Sequence, residues 1–390
     1  MPARLLSVTL LTLIATIAAH ADNFTQRSDF NNARIKFERT KKGHVAFIGG
    51  SITEMNGYRP MVCEILQKRF PDTKFTFTDA GISSTCSTTG AFRVQEHVLD
   101  HGPVDLFFVE FAVNDDQDAA HARRECIRGF EGLIRHARKH NPNMDIVATY
   151  FVNPFIMETL QAGKTPLTIE AHGTVAKHYN VSTINLAKEV AEQITAGDLT
   201  WKKFGGVHPA PFGNRICANL IDSLMTQAWA KPLSQSAEVK SHALPDPIDA
   251  KSYENGRFIS PDKAKFTDWK FYIPDWKAIK GGFRSRYGGK PLLCADKPGA
   301  TAELNFSGTA IGAFMLAGPD AGIVLAKVDD SEWKAIDTYH RYSRGLHYPR
   351  TVMFFNDLDA GDHTLTLKVS ESKNKASKGN AIRIMQFTAN

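Results

Sequence analysis

The stretch from Val104 to Val113 is apolar at every position but Asp105 and Glu110. A strand of that composition has no polar face to turn to water, so it must be covered on both sides, as a central strand of a parallel sheet is. Its surroundings agree. From about Lys42 to Trp229 short apolar runs alternate with helical patterns: His44 to Ile48, then Pro60 to Phe70 with Met61, Ile65 and Leu66 at helical spacing, then Phe75 to Thr78. After the central run, Ala119 to Lys139 carries one apolar stripe (Cys126, Ile127, Phe130, Leu133, Ile134, Ala137), and Ile146 to Tyr150 and Ser182 to Asn185 continue the alternation. An α/β domain with a parallel sheet is expected.

Between Ala230 and Asp249 the pattern gives way to Pro232, Ser234, Ser236, Pro245 and Pro247, a composition that suits a linker. Beyond it the period becomes two. Ala302, Leu304 and Phe306 alternate with polar residues, as do Leu365, Leu367 and Val369, between turn clusters at Ala317 to Gly322 and Asp357 to Asp362. This predicts antiparallel strands with one wet face and a smaller antiparallel β-sandwich domain.

The chain opens with Arg4 before an apolar run from Leu5 to Ala19, closed by Ala19, His20 and Ala21. That is too short to span a bilayer and fits a secretory signal peptide, with an uncleaved anchor as the alternative. The expected division is residues 1–21 signal peptide, 22–230 α/β domain, 231–247 linker and 248–390 β-sandwich. No later run is long and apolar enough for stable membrane insertion, so a secreted or periplasmic protein is expected. With 47 basic against 41 acidic residues, the charge shows no nucleic-acid footprint. Cys63, Cys86, Cys126, Cys217 and Cys294 are too widely spaced for a zinc site, and their odd number leaves at least one thiol free.

Three segments at strand ends carry the candidate chemistry. The first strand runs into Gly49, Gly50, Ser51, Ile52 and Thr53 just before a helix, where α/β sheets place ligands. Ser51 or Thr53 could equally be an N-cap, and the absence of glycine at Thr53 excludes an α/β-hydrolase nucleophile elbow. The second strand leads into a small-residue loop from Asp79 to Gly90, and the central strand ends in Asn114, Asp115 and Asp116. Val207, His208 and Pro209 stand just before the last helix, so one edge of the sheet could gather all of them.

On these blocks the chain resembles the SGNH hydrolase superfamily, the GDSL-like esterases, over about residues 43–230. Ser51 in Gly-Gly-Ser-Ile-Thr matches the nucleophile block, with Gly50 where Asp is usual. Asn114 and His208 match the third and last blocks, and Ser84 aligns with the oxyanion glycine. The resemblance implies a flavodoxin-like three-layer parallel sheet with helices on both faces. It also implies a serine hydrolase with Ser51 and His208 as catalytic residues, an oxyanion hole of Ser51, Ser84 and Asn114, and no cofactor or metal. The acid usual three residues before the histidine is replaced by Gly205, which leaves a Ser-His dyad, an acid from elsewhere, of which Asp198 is the nearest upstream, or, as the preferred arrangement, a backbone carbonyl holding the ring.

The expected activity is hydrolysis of O-acyl esters, acetyl foremost, on carbohydrate. The partner is then an acylated glycan or another small ester. Alternatives are a lipase or lysophospholipase, and an inactive glycan-binding protein. Glu110 and Arg93 are expected to be in structural ion pairs ahead of binding substrate. The segment from Tyr339 to Arg350 suits a domain interface or sugar stacking. All of the chemistry is expected to lie between Ser51 and His208, with the β-domain in a supporting role.

Overall fold

The central apolar run is the middle of the sheet. A computed structural model describes residues 23–390, so the expected signal peptide, 1–21, lies outside the described residues. The first domain contains β1 (Phe24–Thr25), β2 (Lys42–Gly49), β3 (Lys74–Gly81), β4 (Leu106–Glu110), β5 (Asp145–Thr149) and β6 (Ser182–Ile184). Its helices are α1 (Asn31–Ile35), α2 (Ser51–Glu54), α3 (Tyr58–Arg69), α4 (Ser87–His97), α5 (Arg123–His140), α6 (Pro154–Gln161), α7 (Leu167–His178), α8 (Leu186–Ala196), α9 (Trp201–Phe204) and α10 (Pro211–Ala228).

The sheet order is β1-β6-β5-β4-β2-β3. Strands β2 to β6 run parallel in the flavodoxin-like arrangement. One edge departs from the all-parallel expectation, because β1 pairs antiparallel with β6, Phe24 opposite Ile184. Two residues leave no period in a sequence, yet they cover the backbone groups of an edge strand. Helices α4, α5 and α7 pack side by side, as do α3, α10 and α8. Val45 to Ile48 and Leu106 to Val109 are accordingly buried along their length. Helix α5 starts at Arg123, later than its apolar stripe suggested, since Asn114–Asp118 forms a wide turn and Ala120 takes a φ of +49°.

The second domain is a pair of antiparallel sheets. Its strands are β7 (Arg257–Ile259), β8 (Lys265–Thr267), β9 (Lys270–Tyr272), β10 (Leu292–Ala295), β11 (Thr301–Gly308), β12 (Ile311–Ala317), β13 (Ile323–Val328), β14 (Lys334–Asp337), β15 (Tyr348–Phe355), β16 (Gly361–Val369) and β17 (Ile382–Ala389). One sheet runs β15-β12-β17-β10-β9 with β7 beside β17, the other β14-β13-β16-β11-β8. The predicted alternation is the pairing of β11 with β16, where Ala302 faces Leu367 and Leu304 faces Leu365, all four buried. Strand β12 is buried throughout, because its second face packs Phe314 and Leu316 against Trp276, Tyr287 and Met385.

Residues 231–256 contain no regular element and are tied along the first domain. The buried Glu131 carboxylate accepts the Ile248 and Asp249 N–H groups and the Tyr179 hydroxyl, at 2.6, 3.0 and 2.7 Å. Arg128 in turn pairs with Asp249 and, across the domain boundary, with Asp357. Tyr253 belongs to the core of the α/β domain. Here α5 presents Gly132, where an added Cβ would lie 2.6 Å from the Tyr253 carbonyl carbon. Alanine normally strengthens a helix by up to about 1 kcal/mol over glycine. Gly132→Ala is nevertheless expected to destabilise the protein by about 1–3 kcal/mol, since backbone is what it strikes. A denaturant midpoint unchanged or raised in this variant would show that the segment yields freely.

Candidate active site

Strand β2 delivers Ser51 to the point where the sheet order reverses, between β2 and β4. The turn leaves no room for side chains before the serine. A Cβ on Gly49 would sit 2.2 Å from Thr53 Oγ1, and one on Gly50 would sit 2.0 Å from Asn114 Oδ1. With the Asn114 amide filling that space, position 50 has no room for a side chain. Ser51 Oγ lies 2.8 Å from His208 Nε2.

His208 is exposed, in the connection from α9 to α10. Gly205 and Gly206 turn this loop with φ values of +107° and +81°. A Cβ at 205 would meet the Ala210 nitrogen at 2.0 Å, so no acid can occupy that position. The loop is fastened instead by Asn214, which was not picked out from the sequence. Its buried side chain donates to the Pro209 carbonyl at 2.6 Å and accepts from the Tyr58 N–H at 2.8 Å. A single polar residue in the first turn of a helix has nothing in sequence to mark such a bridge. Asp198 is exposed beyond the end of α8, and among the described residues no carboxylate bonds to His208.

The residues aligned with the oxyanion hole are gathered on the same side. Asn114 is buried and donates one amide hydrogen to Asp118 Oδ2 at 2.5 Å, which leaves its second N–H uncommitted. Ser84 is buried and takes a φ of +70°, the conformation for which glycine is favoured. The Ser83 N–H donates to Glu54 Oε2 at 2.8 Å, tying this loop to α2. Ser84 Oγ accepts a 2.6 Å hydrogen bond from Arg284, a residue of the second domain. The site thus reaches beyond the Ser51 to His208 interval to which the sequence confined it.

Residues 47–216 match the GDSL-like Lipase/Acylhydrolase family. The chain carries a GDSL-like lipase/acylhydrolase domain. It is an ester-bond hydrolase of this type. In overall fold it is similar to a two-domain esterase (CEX) active on acetylated mannans, at 18% identity and a TM-score of 0.76, with 95% of this chain and 98% of that chain covered. The same esterase co-crystallized with mannopentaose aligns with equal TM-score and identity, over 95% of this chain and 97% of the other. Comparison with curated proteins gave no match.

Around the GDSL-like site the buried charges are arranged differently from the ion pairs expected. Arg93 is wholly buried and donates to the Ala80 and Gly49 carbonyls at 2.7 and 2.9 Å, with no carboxylate partner among the described residues. Burial lowers its guanidinium to about 9. Glu110 ends β4 beneath the Ser51 turn, where Thr53 Oγ1 donates to it at 3.1 Å and the Gly50 N–H at 3.4 Å. Burial outweighs those bonds and raises its carboxyl to about 7. Strand-end carbonyls take up the Arg93 Nη groups and neutral donors reach one Glu110 oxygen, while Arg93 Nε and Glu110 Oε1 stay buried without a partner.

Asp115 beside Asn114 is also buried. Burial alone would raise its carboxyl, but the hydrogen bond from His172 and the charge of His121 3.6 Å away hold it well below the usual range. It accepts from the Ser87 N–H and hydroxyl at 2.7 and 2.6 Å, fixing the start of α4. Cys86, Asp115 and His121 each bring one ligand atom within 4.8 Å of the others, the set among the described residues that could hold a metal ion. The Asp115 oxygens are already engaged by Ser87 and His172. All five cysteines are free thiols. The Tyr339 to Arg350 segment lies at the domain junction, with His340 stacked on Tyr348 and its Nε2 2.8 Å from the Asp118 carbonyl.

Glu110 makes stability depend on pH in a defined direction. Its carboxyl titrates near 7 when folded and near the ordinary 4.5 when unfolded. Between these values the unfolded chain has lost a proton that the folded one keeps. Stability from this group is therefore fully present below about pH 4.5, falls by up to about 1.4 kcal/mol per pH unit across the window, and levels off above 7. Glu110→Gln should remove this slope when unfolding free energies are compared at pH 5, 6 and 7. Parallel slopes in the two proteins would place the titration elsewhere.

Proposed function

We propose that this protein is a secreted serine esterase that removes small O-acyl groups, acetyl foremost, from carbohydrate. The observation that carries the reading is the 2.8 Å contact between Ser51 Oγ and His208 Nε2 at the reversal point of the sheet. Ser51 attacks the ester carbonyl while its proton passes to His208 Nε2, and the histidine then protonates the departing sugar oxygen. The resulting acyl-serine is hydrolysed by water, with His208 taking the water proton and returning it to Ser51 as the acid leaves. The N–H groups of Ser51 and Ser84 and the free Asn114 N–H stabilise the oxyanion in both steps. With position 205 closed to an acid, the histidine is oriented by its glycine turn and by Asn214. Its imidazolium is stabilised by water at an exposed site.

Support for a glycan ester comes from the fold shared with an esterase active on acetylated mannans. Among the described residues no helix is long and apolar enough to cross a membrane. Residues 1–21 are taken as the export signal, and a fusion of this segment to a reporter should carry it out of the cytoplasm.

Ser51→Ala and His208→Ala are each expected to lower turnover on the order of 10⁴-fold, and the double variant little further, because the two act as a unit. Circular dichroism should show both folded. Retention of a tenth of the activity by Ser51→Ala would end the proposal. Asn114→Ala should reduce kcat by roughly 10² to 10³ with a smaller effect on KM, as for other oxyanion donors. In a panel of acetyl esters, long-chain esters and acetylated polysaccharides, preference for long chains would favour a lipase instead.

A further inference from the structure

We propose that Arg284 of the β-sandwich is a positioning residue for the esterase site, holding the Ile82–Thr85 turn in the form that aims the Ser84 N–H at the oxyanion. This rests on the reading of that N–H as an oxyanion donor. The turn is closed by a 3.2 Å bond from the Thr85 N–H to the Ile82 carbonyl. Its third residue, Ser84, has a φ of +70°, while Ser83 is not among the residues of positive φ. That combination is a type II turn, which calls for glycine in third place. In a type I turn the peptide between the second and third residues is rotated by about half a turn, and the third residue returns to negative φ. The two forms therefore point the Ser84 N–H in opposite directions, and serine intrinsically prefers the second.

What holds the disfavoured form is outside the turn. From one side Glu54, in the helix that begins with the nucleophile, accepts the Ser83 N–H and hydroxyl. From the other, Arg284 Nη2 donates to Ser84 Oγ at 2.6 Å, and Arg286 bridges Glu54 at 3.2 Å and the Gly81 carbonyl at 3.3 Å. The arginines stand on a braced segment. Gly282 exchanges backbone bonds of 2.8 Å with Gly345 and His347, Phe283 stacks on Trp276, and Tyr287 is buried in an apolar cluster. A glycine at position 84 would need no such brace. The serine takes up the strained φ but supplies a hydroxyl through which the second domain can hold it.

The experiment is a cycle on the full-length protein with 4-nitrophenyl acetate, a substrate too small to span the domains. Arg284→Ala is expected to lower kcat about 10- to 100-fold, within the range for a misdirected oxyanion donor, with KM changed less than about twofold. Arg284→Lys, which keeps a donor, should recover part of the loss. The same Arg284→Ala change made in a Ser84→Gly background should cost less than about threefold, because glycine adopts positive φ unaided. An equal kcat loss in both backgrounds would overturn the proposal, as would a melting temperature that falls in step with activity in both. Full activity of Arg284→Ala, with Ser51→Ala inactive, would refute the positioning role while leaving the serine mechanism intact. Activity retained by Ser51→Ala would instead remove the reading on which the role rests.

Discussion

The Asn114 side chain lies where a Cβ on residue 50 would have to be, and the site is organised around that contact. It brings the end of β4 against the turn that follows β2, so Ser51 and the Asn114 amide are set by one steric fit. A fit of this kind tolerates little, because only glycine has the volume to allow it. The Gly49 position is closed in the same way by Thr53 and Glu110. The two adjacent strands meet at the switch point with their backbones in near contact, and Ser51 follows with its position already decided.

Such close packing buries charge, and the protein meets the cost in three ways. Arg93 donates to carbonyls at the carboxyl ends of β2 and β3 in place of a carboxylate. Glu110 is relieved of much of its charge near neutral pH by its raised titration point. Asp115 remains charged and is surrounded by donors from Ser87 and His172. None of these depends on an exposed ion pair. Buried in this way, the three charges are screened by salt far less than exposed ion pairs would be, and hydrogen bonds in a dry interior set their electrostatics.

The sheet, its central strand and the β-sandwich pairing were legible because burial on both faces and burial on one face leave different periods. The placement of Ser51, His208, Asn114 and Ser84 at one edge of the sheet was legible because each lies in a block at the end of a strand or before a helix. What remained hidden depends on volume or on distance in the chain. The closure of position 205 by the Ala210 nitrogen follows from how tightly the loop turns, which composition does not express. Arg93 and Glu110 were misread as members of ion pairs because a sequence shows charges and not carbonyls. Asn214, Glu54 and Arg284 act on residues up to 200 positions away, as Arg284 does on Ser84.

The same distance explains why the second domain is more than an addition to the first. Tyr253 and Ala310 are part of the α/β core, with Phe258 and Met353 packed against it. Arg128 of α5 reaches Asp357 at 2.6 Å, and Thr89 of α4 meets Thr351 at 2.8 Å. Helices α4 and α5 are thus held from outside by the domain whose Arg284 touches Ser84. Helix α4 starts at Ser87, directly after the loop that carries Ser84, and its first turn is bonded to Asp115 beside Asn114. A shift of the sandwich would therefore act on both Ser84 and Asn114 through one helix. The first domain contains Ser51 and His208, but the setting of the loops around them is a property of the two domains together.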